Sequence, residues 1–226
     1  MDTDLLRRVT GTAAIIGAAL TLIEIPLYFI YDGPPPDWNV LTRSLFGLAG
    51  ITTLIIFFTG FGYLVKRALP EADWIAGIAV NAGLIWLTVA LVSTGLEVGA
   101  VIQAPDPIDP TITVSGTYIL YGTISRLLEA LMFCAFGFAV RRTGLLPRWT
   151  ATTAFALSLI NLAFVPSMFF GNTPANFYAA NGWGTTATLG GFTMIWLLAV
   201  GITTVRGTTT ARHPRKVPGR ISAESA

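Results

Sequence analysis

The chain has 226 residues, of which 53% are hydrophobic and only 12% charged, with a formal net charge of +2 and a mean hydropathy of +0.67. Soluble domains carry about twice that charged fraction, about 25%, so the composition excludes an ordinary soluble domain and points to a polytopic membrane protein. One cysteine, Cys134, and one histidine, His213, leave no intramolecular disulfide, no thiol redox couple and no zinc or haem site of the usual ligands, and both lysines, Lys66 and Lys216, lie outside the apolar runs, which removes a retinal Schiff base.

A window of about twenty apolar residues finds six segments, at 9–31, 43–65, 74–102, 116–140, 149–170 and 185–205. The first, from Val9 to Tyr31, is too long for the core of a signal peptide and has no small-residue cleavage site after it, so a retained span is expected. The links carry turn chemistry: "DGPPPDW", "RALPEAD", "APDPIDP", "RRTGLLPR" and "GNTPANFYAANGWG". Residues 1–205 are expected to form one all-α domain of six transmembrane helices. Residues 206–226, poor in large apolar side chains, are expected to be a disordered basic tail.

Charge alternates along the links. Arg7, Arg8, Lys66, Arg67, Arg141, Arg142, Arg148, Arg206, Arg212, Arg215, Lys216 and Arg220 fall on one set of span ends. The other three loops carry Asp32, Asp37, Asp106 and Asp109, with Arg43 expected at a span edge. The positive-inside rule then puts both termini on the cytoplasmic side. Trp38, Trp74, Trp149, Tyr178 and Trp183 are expected at the boundaries, where amphipathic rings favour the headgroup layer.

Four ionisable residues interrupt the spans: Glu24, Glu97, Arg126 and Glu129. A charge at a helix centre costs about 2.5–3.5 kcal/mol on insertion scales, so Arg126 and Glu129 together cost about 5–7. The ten large apolar residues of the fourth span, at about 0.3–0.6 kcal/mol each, recover roughly 3–6. That helix therefore depends on neighbours. Residues three apart share a face, so Arg126 and Glu129 can partly neutralise each other, with Gly122, Ser125, Ala130 and Gly137 near the same side.

At 1.5 Å per residue, Glu24, Glu97 and Arg126 lie about 10, 7 and 15 Å below the outer ends of their spans. Glu24 shares a stripe with Gly17, Thr21, Tyr28 and Tyr31, and Glu97 with Gly83, Trp86, Ala90, Ser93 and Thr94. Pro26, two residues after Glu24, frees the carbonyl of Leu22 and predicts a kink in the outer half. Together these predict a polar site in the outer half of the bundle, with Glu24, Glu97 and Glu129 as candidate catalytic acids. Arg126, Tyr28, Trp86, Ser93, Ser125 and Asn161 are candidate ligand contacts. Arg126 should meet a carboxylate from another helix. Asn81 is expected to make an interhelical hydrogen bond, and the glycines of "GLEVG" to point away from Glu97. "PDPIDP" reads as a proline-stiffened loop in preference to a calcium site.

The stretch "SRLLEALMFCAFGFAVRRTGLLPRWTA", through Arg126, Glu129, Pro147, Arg148 and Trp149, resembles an uncharacterised bacterial multi-pass family, domain of unknown function 4386. The resemblance covers the middle third of the chain. It implies a multi-helix protein of the bacterial cytoplasmic membrane and supplies no activity.

Three functions fit the residues. A buried carboxyl can act as a general acid on a small lipophilic molecule, or simply help to bind one. Intramembrane carboxylates also mark proton-coupled transport, and a charge cluster can serve as helix glue in an assembly protein. A blind cavity opening sideways favours the first, polar access from both sides the second, and tight packing the third. No metal or cofactor is expected. Membrane lipid and a small lipophilic ligand are the expected partners, without nucleic acid. Oligomeric state is left open by the sequence.

Overall fold

The computed structural model describes residues 2–207; the basic tail predicted to be disordered lies outside the described residues. Among the described residues there is no strand, and six helices are long and apolar enough to cross a membrane. Their α-helical parts are α1 (Thr3–Leu27), α2 (Asp37–Ala68), α3 (Asp73–Gln103), α4 (Ser125–Thr143), α5 (Arg148–Phe164) and α6 (Leu189–Arg206), and the fifth span runs on through a 3-10 turn to Phe170. Each presents at least one large apolar side chain outward near its middle. Ile16, Ile56, Ile85, Leu131, Leu159 and Ile195 are all exposed. This belt, with exposed Trp38, Trp74 and Trp149 at helix starts, is compatible with an integral membrane protein.

The helix ends follow local chemistry. Asp2 accepts a hydrogen bond from the Asp4 amide and caps α1. Pro36 and Asp37 open α2, and Lys66 and Arg67 occupy its last turn, where cations suit the helix dipole. Gly144, at φ +63°, lets the chain leave α4 left-handed while its amide bonds the Val140 carbonyl. The sequence predicted a kink at Pro26 in the outer half of a span reaching Tyr31. Instead Pro26 lies in the last turn of α1, which stops at Leu27; its missing N–H leaves the Leu22 carbonyl without its usual helical bond.

Two helices begin with wide π-helical turns, Leu120–Ile124 before α4 and Gly184–Thr188 before α6. In the first, Gly122 leaves helical geometry at φ −85°, ψ −108°. Its Cα faces the Ala180 carbonyl so closely that a β-carbon would lie 2.7 Å from that oxygen.

The helices pack as a ring. α1 lies between α6 and α2, α3 joins α2 to α4, and α5 packs along the outside of α4 while barely touching α6. Small residues let backbones approach at α1: Gly17 meets Gly50 on α2, and Gly11 meets Gly201 on α6, with added β-carbons at Gly11 and Gly17 falling 2.6 Å and 2.8 Å from the opposing carbonyls. Near the termini the interior is filled by aromatic rings. Phe61 stacks on Phe136 at 4.4 Å, and Trp196 meets Phe133 at 5.0 Å and Phe136 at 4.8 Å. The Trp196 Nε1 donates to Thr153 Oγ1 at 2.9 Å, which ties α6 to α5.

Candidate functional site

Away from the termini the ring holds a cavity of about 280 Å³, near the low end of ligand pockets, about 300–1,000 Å³. Toward the termini its lining stops at Ile51, Trp86, Glu129 and Met194. Below them lies the aromatic packing, reached through the edge contact of Phe58 with Trp86. The cavity is therefore blind toward the termini. Its mouth includes the exposed rings of Phe29, Tyr31 and Trp183.

Glu24, Glu97, Arg126 and Glu129, from three different helices, all line this one space and are all buried. Tyr28, Trp86 and Ser125 line it too. Two candidates do not. Ser93 is buried and donates to the Thr117 carbonyl at 3.2 Å, fixing α3 to the chain that leads into α4. Asn161 is buried on α5, which contributes nothing to the lining, and donates to its own helix at the Leu157 carbonyl at 2.9 Å. Its amide nitrogen is satisfied one turn back along α5, while its Oδ1 is buried without a hydrogen-bond partner.

Arg126 does not meet a carboxylate from another helix, contrary to expectation. Its ion-pair partner is Glu129 on α4, at 2.9 Å, with both side chains almost wholly buried. The i, i+3 spacing makes that contact the nearest available one. The pair is close in charge but poorly aligned for hydrogen bonding: Arg126 Nε and both Glu129 oxygens lack hydrogen-bond partners. The Thr193 hydroxyl of α6 lies beside Glu129.

The cation that serves Glu24 and Glu97 is Arg43. Expected at a span edge, it sits inside α2 with only 3% of its surface exposed. Its guanidinium lies 3.9 Å over the Tyr28 ring and within electrostatic reach of both carboxylates. Its Nη1 donates to Asn39 Oδ1 at 3.4 Å, whereas Nε and Nη2 have no protein partner. Tyr28 Oη donates to Glu24 Oε1 at 3.1 Å. The Glu24 carboxylate rests against Gly47 of α2. Glu97 has Thr117 and Tyr121 beside it, yet its Oε1 has no hydrogen-bond partner.

Arg43 was legible in principle. "PPPDW" is a helix start by its Pro-Asp pair. With α2 beginning at Asp37, the four-residue spacing of Asn39, Arg43 and Gly47 puts a polar and small stripe on one face.

The loops over the cavity are equally built. Asn181, read from sequence as part of a polar link, is buried. It donates to the Thr111 carbonyl at 2.8 Å and accepts from Tyr121 Oη at 3.0 Å. The link 171–183 thus folds into the bundle between the two wide turns. Asp109 caps the Pro110–Thr113 turn by accepting from the Thr111 amide and hydroxyl, as a stiffened loop requires. Among the described residues no group of three or more His, Cys, Asp or Glu could hold a metal ion. Asn81, expected to bond between helices, is exposed and does not. Its position opposite Glu97 on α3 turns it away from every neighbouring helix. Gly95 and Gly99 have open space where a β-carbon would stand.

No family model, no curated protein and no solved structure matches this chain. The geometry of the cavity alone carries what can be said of function.

Proposed function

We propose that this protein is a multi-pass membrane protein that holds a small lipophilic molecule by its polar head. On this reading the termini face the cytoplasm, as the basic residues near them favour, and the cavity mouth lies at the outer leaflet. One observation carries the proposal. A blind, largely apolar cavity brings together Arg43 and Glu97, buried side chains with polar atoms that no protein group satisfies. Buried polar groups are ordinarily paired, and a ligand head is the partner such a cavity is shaped to admit.

The closed floor disfavours a proton or solute path through the bundle. Helix glue accounts for Arg126 and Glu129 but gives no reason for the space above them. Of the three candidate acids, Glu97 has the freest oxygen for chemistry on a bound molecule, Glu24 is held by Tyr28, and Glu129 is engaged by Arg126. The family resemblance around Arg126 to Trp149 fits a bacterial membrane protein and adds no activity.

The test is mass spectrometry of molecules that survive gentle extraction of the protein from its membrane. A discrete lipophilic species should accompany the native chain and be lost from a folded Glu97→Gln variant. Recovery of bulk lipid alone, or of the same species from that variant, would defeat the proposal.

A further inference from the structure

We infer that the head of the bound molecule is cationic, an amine or quaternary ammonium carried on an apolar body. This rests on the lipophilic-ligand reading above and deepens it. Four acids line the cavity, Glu24, Glu97, Asp109 and Glu129, against two arginines, Arg43 and Arg126. Arg126 and Glu129 cancel at 2.9 Å. That leaves Glu24, Glu97 and Asp109 against Arg43 alone, three negative groups to one positive, a formal excess of two negative charges.

The excess is concentrated where a head group would sit. Glu97 is 5% exposed and its Oε1 is unpartnered within the lining. A buried carboxylate oxygen without a hydrogen-bond partner is costly to hold, and an ammonium group beside it removes that cost. Aromatic rings complete the environment: Tyr28, Tyr31, Trp86, Tyr121 and Trp183 all contribute to the walls. Carboxylates with aromatic faces are the surroundings that ammonium groups prefer. The protein already uses this chemistry on itself, holding the Arg43 guanidinium over Tyr28 between Glu24 and Glu97. An anionic head placed to meet the free donors of Arg43 would face two carboxylates for one guanidinium. A cationic head at the unpartnered Glu97 Oε1 meets a carboxylate instead.

The experiment uses the full chain in nanodiscs of neutral lipid and three probes with one tail: decyltrimethylammonium, decanol and decanoate. Binding is read by tryptophan fluorescence and thermal unfolding, at equal probe concentration in the bilayer. The ammonium probe should bind at least about tenfold more tightly than the other two, a difference of about 1.4 kcal/mol. Glu97→Gln should abolish that preference while decanol binding persists. Tighter binding of decanoate, or equal binding of all three, would overturn the cationic head and leave the lipophilic site standing. An undiminished preference in folded Glu97→Gln would also overturn it. Binding of none would remove the lipophilic site itself. If Glu97→Gln does not fold, Glu24→Gln takes its place with the same expected outcome.

Discussion

Glu24 of α1 and Gly47 of α2 meet so closely that a β-carbon on residue 47 would lie 2.3 Å from Glu24 Oε2. The carboxylate occupies the space that a side chain on α2 would otherwise fill. Gly47→Ala should therefore push Glu24 off its bond with Tyr28 and into the cavity. Ligand retention should fall at least about tenfold, a change of about 1.4 kcal/mol, while helical content by circular dichroism is kept. Gly95→Ala, at a position with open space around it, should leave retention unchanged. Equal behaviour of the two variants would show that the Glu24 seat does not matter.

Arg126 and Glu129 form a buried ion pair on the cavity floor. Removing a single partner of such a pair costs about 3–5 kcal/mol, whereas replacing both by apolar groups of similar volume is far milder. Glu129→Gln and Arg126→Met should each lower the melting temperature in detergent by several degrees. The double variant Arg126→Met with Glu129→Leu should recover most of the loss. Simple additivity of the two single effects would mean that the pair is not energetically coupled.

Asn181 joins the 171–183 link to Thr111 and Tyr121. Asn181→Ala leaves the Tyr121 hydroxyl without that acceptor and the Thr111 carbonyl without that donor, a cost of about 1–3 kcal/mol. The expected result is faster cleavage in the link by limited proteolysis, with unchanged cleavage between α2 and α3. Protection equal to the native chain would show that Phe177, Trp183 and their ring contacts hold the loop without Asn181.

The proposed orientation has its own check. In a Cys134→Ser background, a cysteine at Asp106 should react with a membrane-impermeant maleimide on intact cells, and one at Leu145 only after permeabilisation. The reverse pattern would turn the molecule over and place the cavity mouth on the cytoplasmic side.

The long elements were legible because their apolar runs are set by membrane thickness, and the six structural helices overlap the six expected spans throughout. The convergence of Glu24, Glu97, Arg126 and Glu129 on one space was also legible, since depth along a helix follows from residue count. Less visible was the pairing of charges. Depth and facing cannot decide between Glu129, one turn away, and an acid across the bundle, and the nearer contact won. Arg43 escaped because hydropathy begins the second span where the apolar run begins, although Pro36 and Asp37 start the helix earlier. Asn181 escaped for a different reason. A polar, glycine-rich link reads as surface, and only tertiary structure shows its amide satisfied inside the bundle.

The wide turn at Leu120–Ile124 has a consequence for everything after it. An α-helix rotates about 100° per residue, and a π-helical turn accommodates one residue more than an α-turn does. The turn therefore sets the phase of α4: deletion of one residue within it should swing Arg126 and Glu129 about a quarter-circle round the helix axis. The charges would then confront helix packing or lipid instead of the cavity. Five uncharged residues, held open by a glycine against the Ala180 carbonyl, thus decide whether the two most expensive side chains of the fourth span find a place to go.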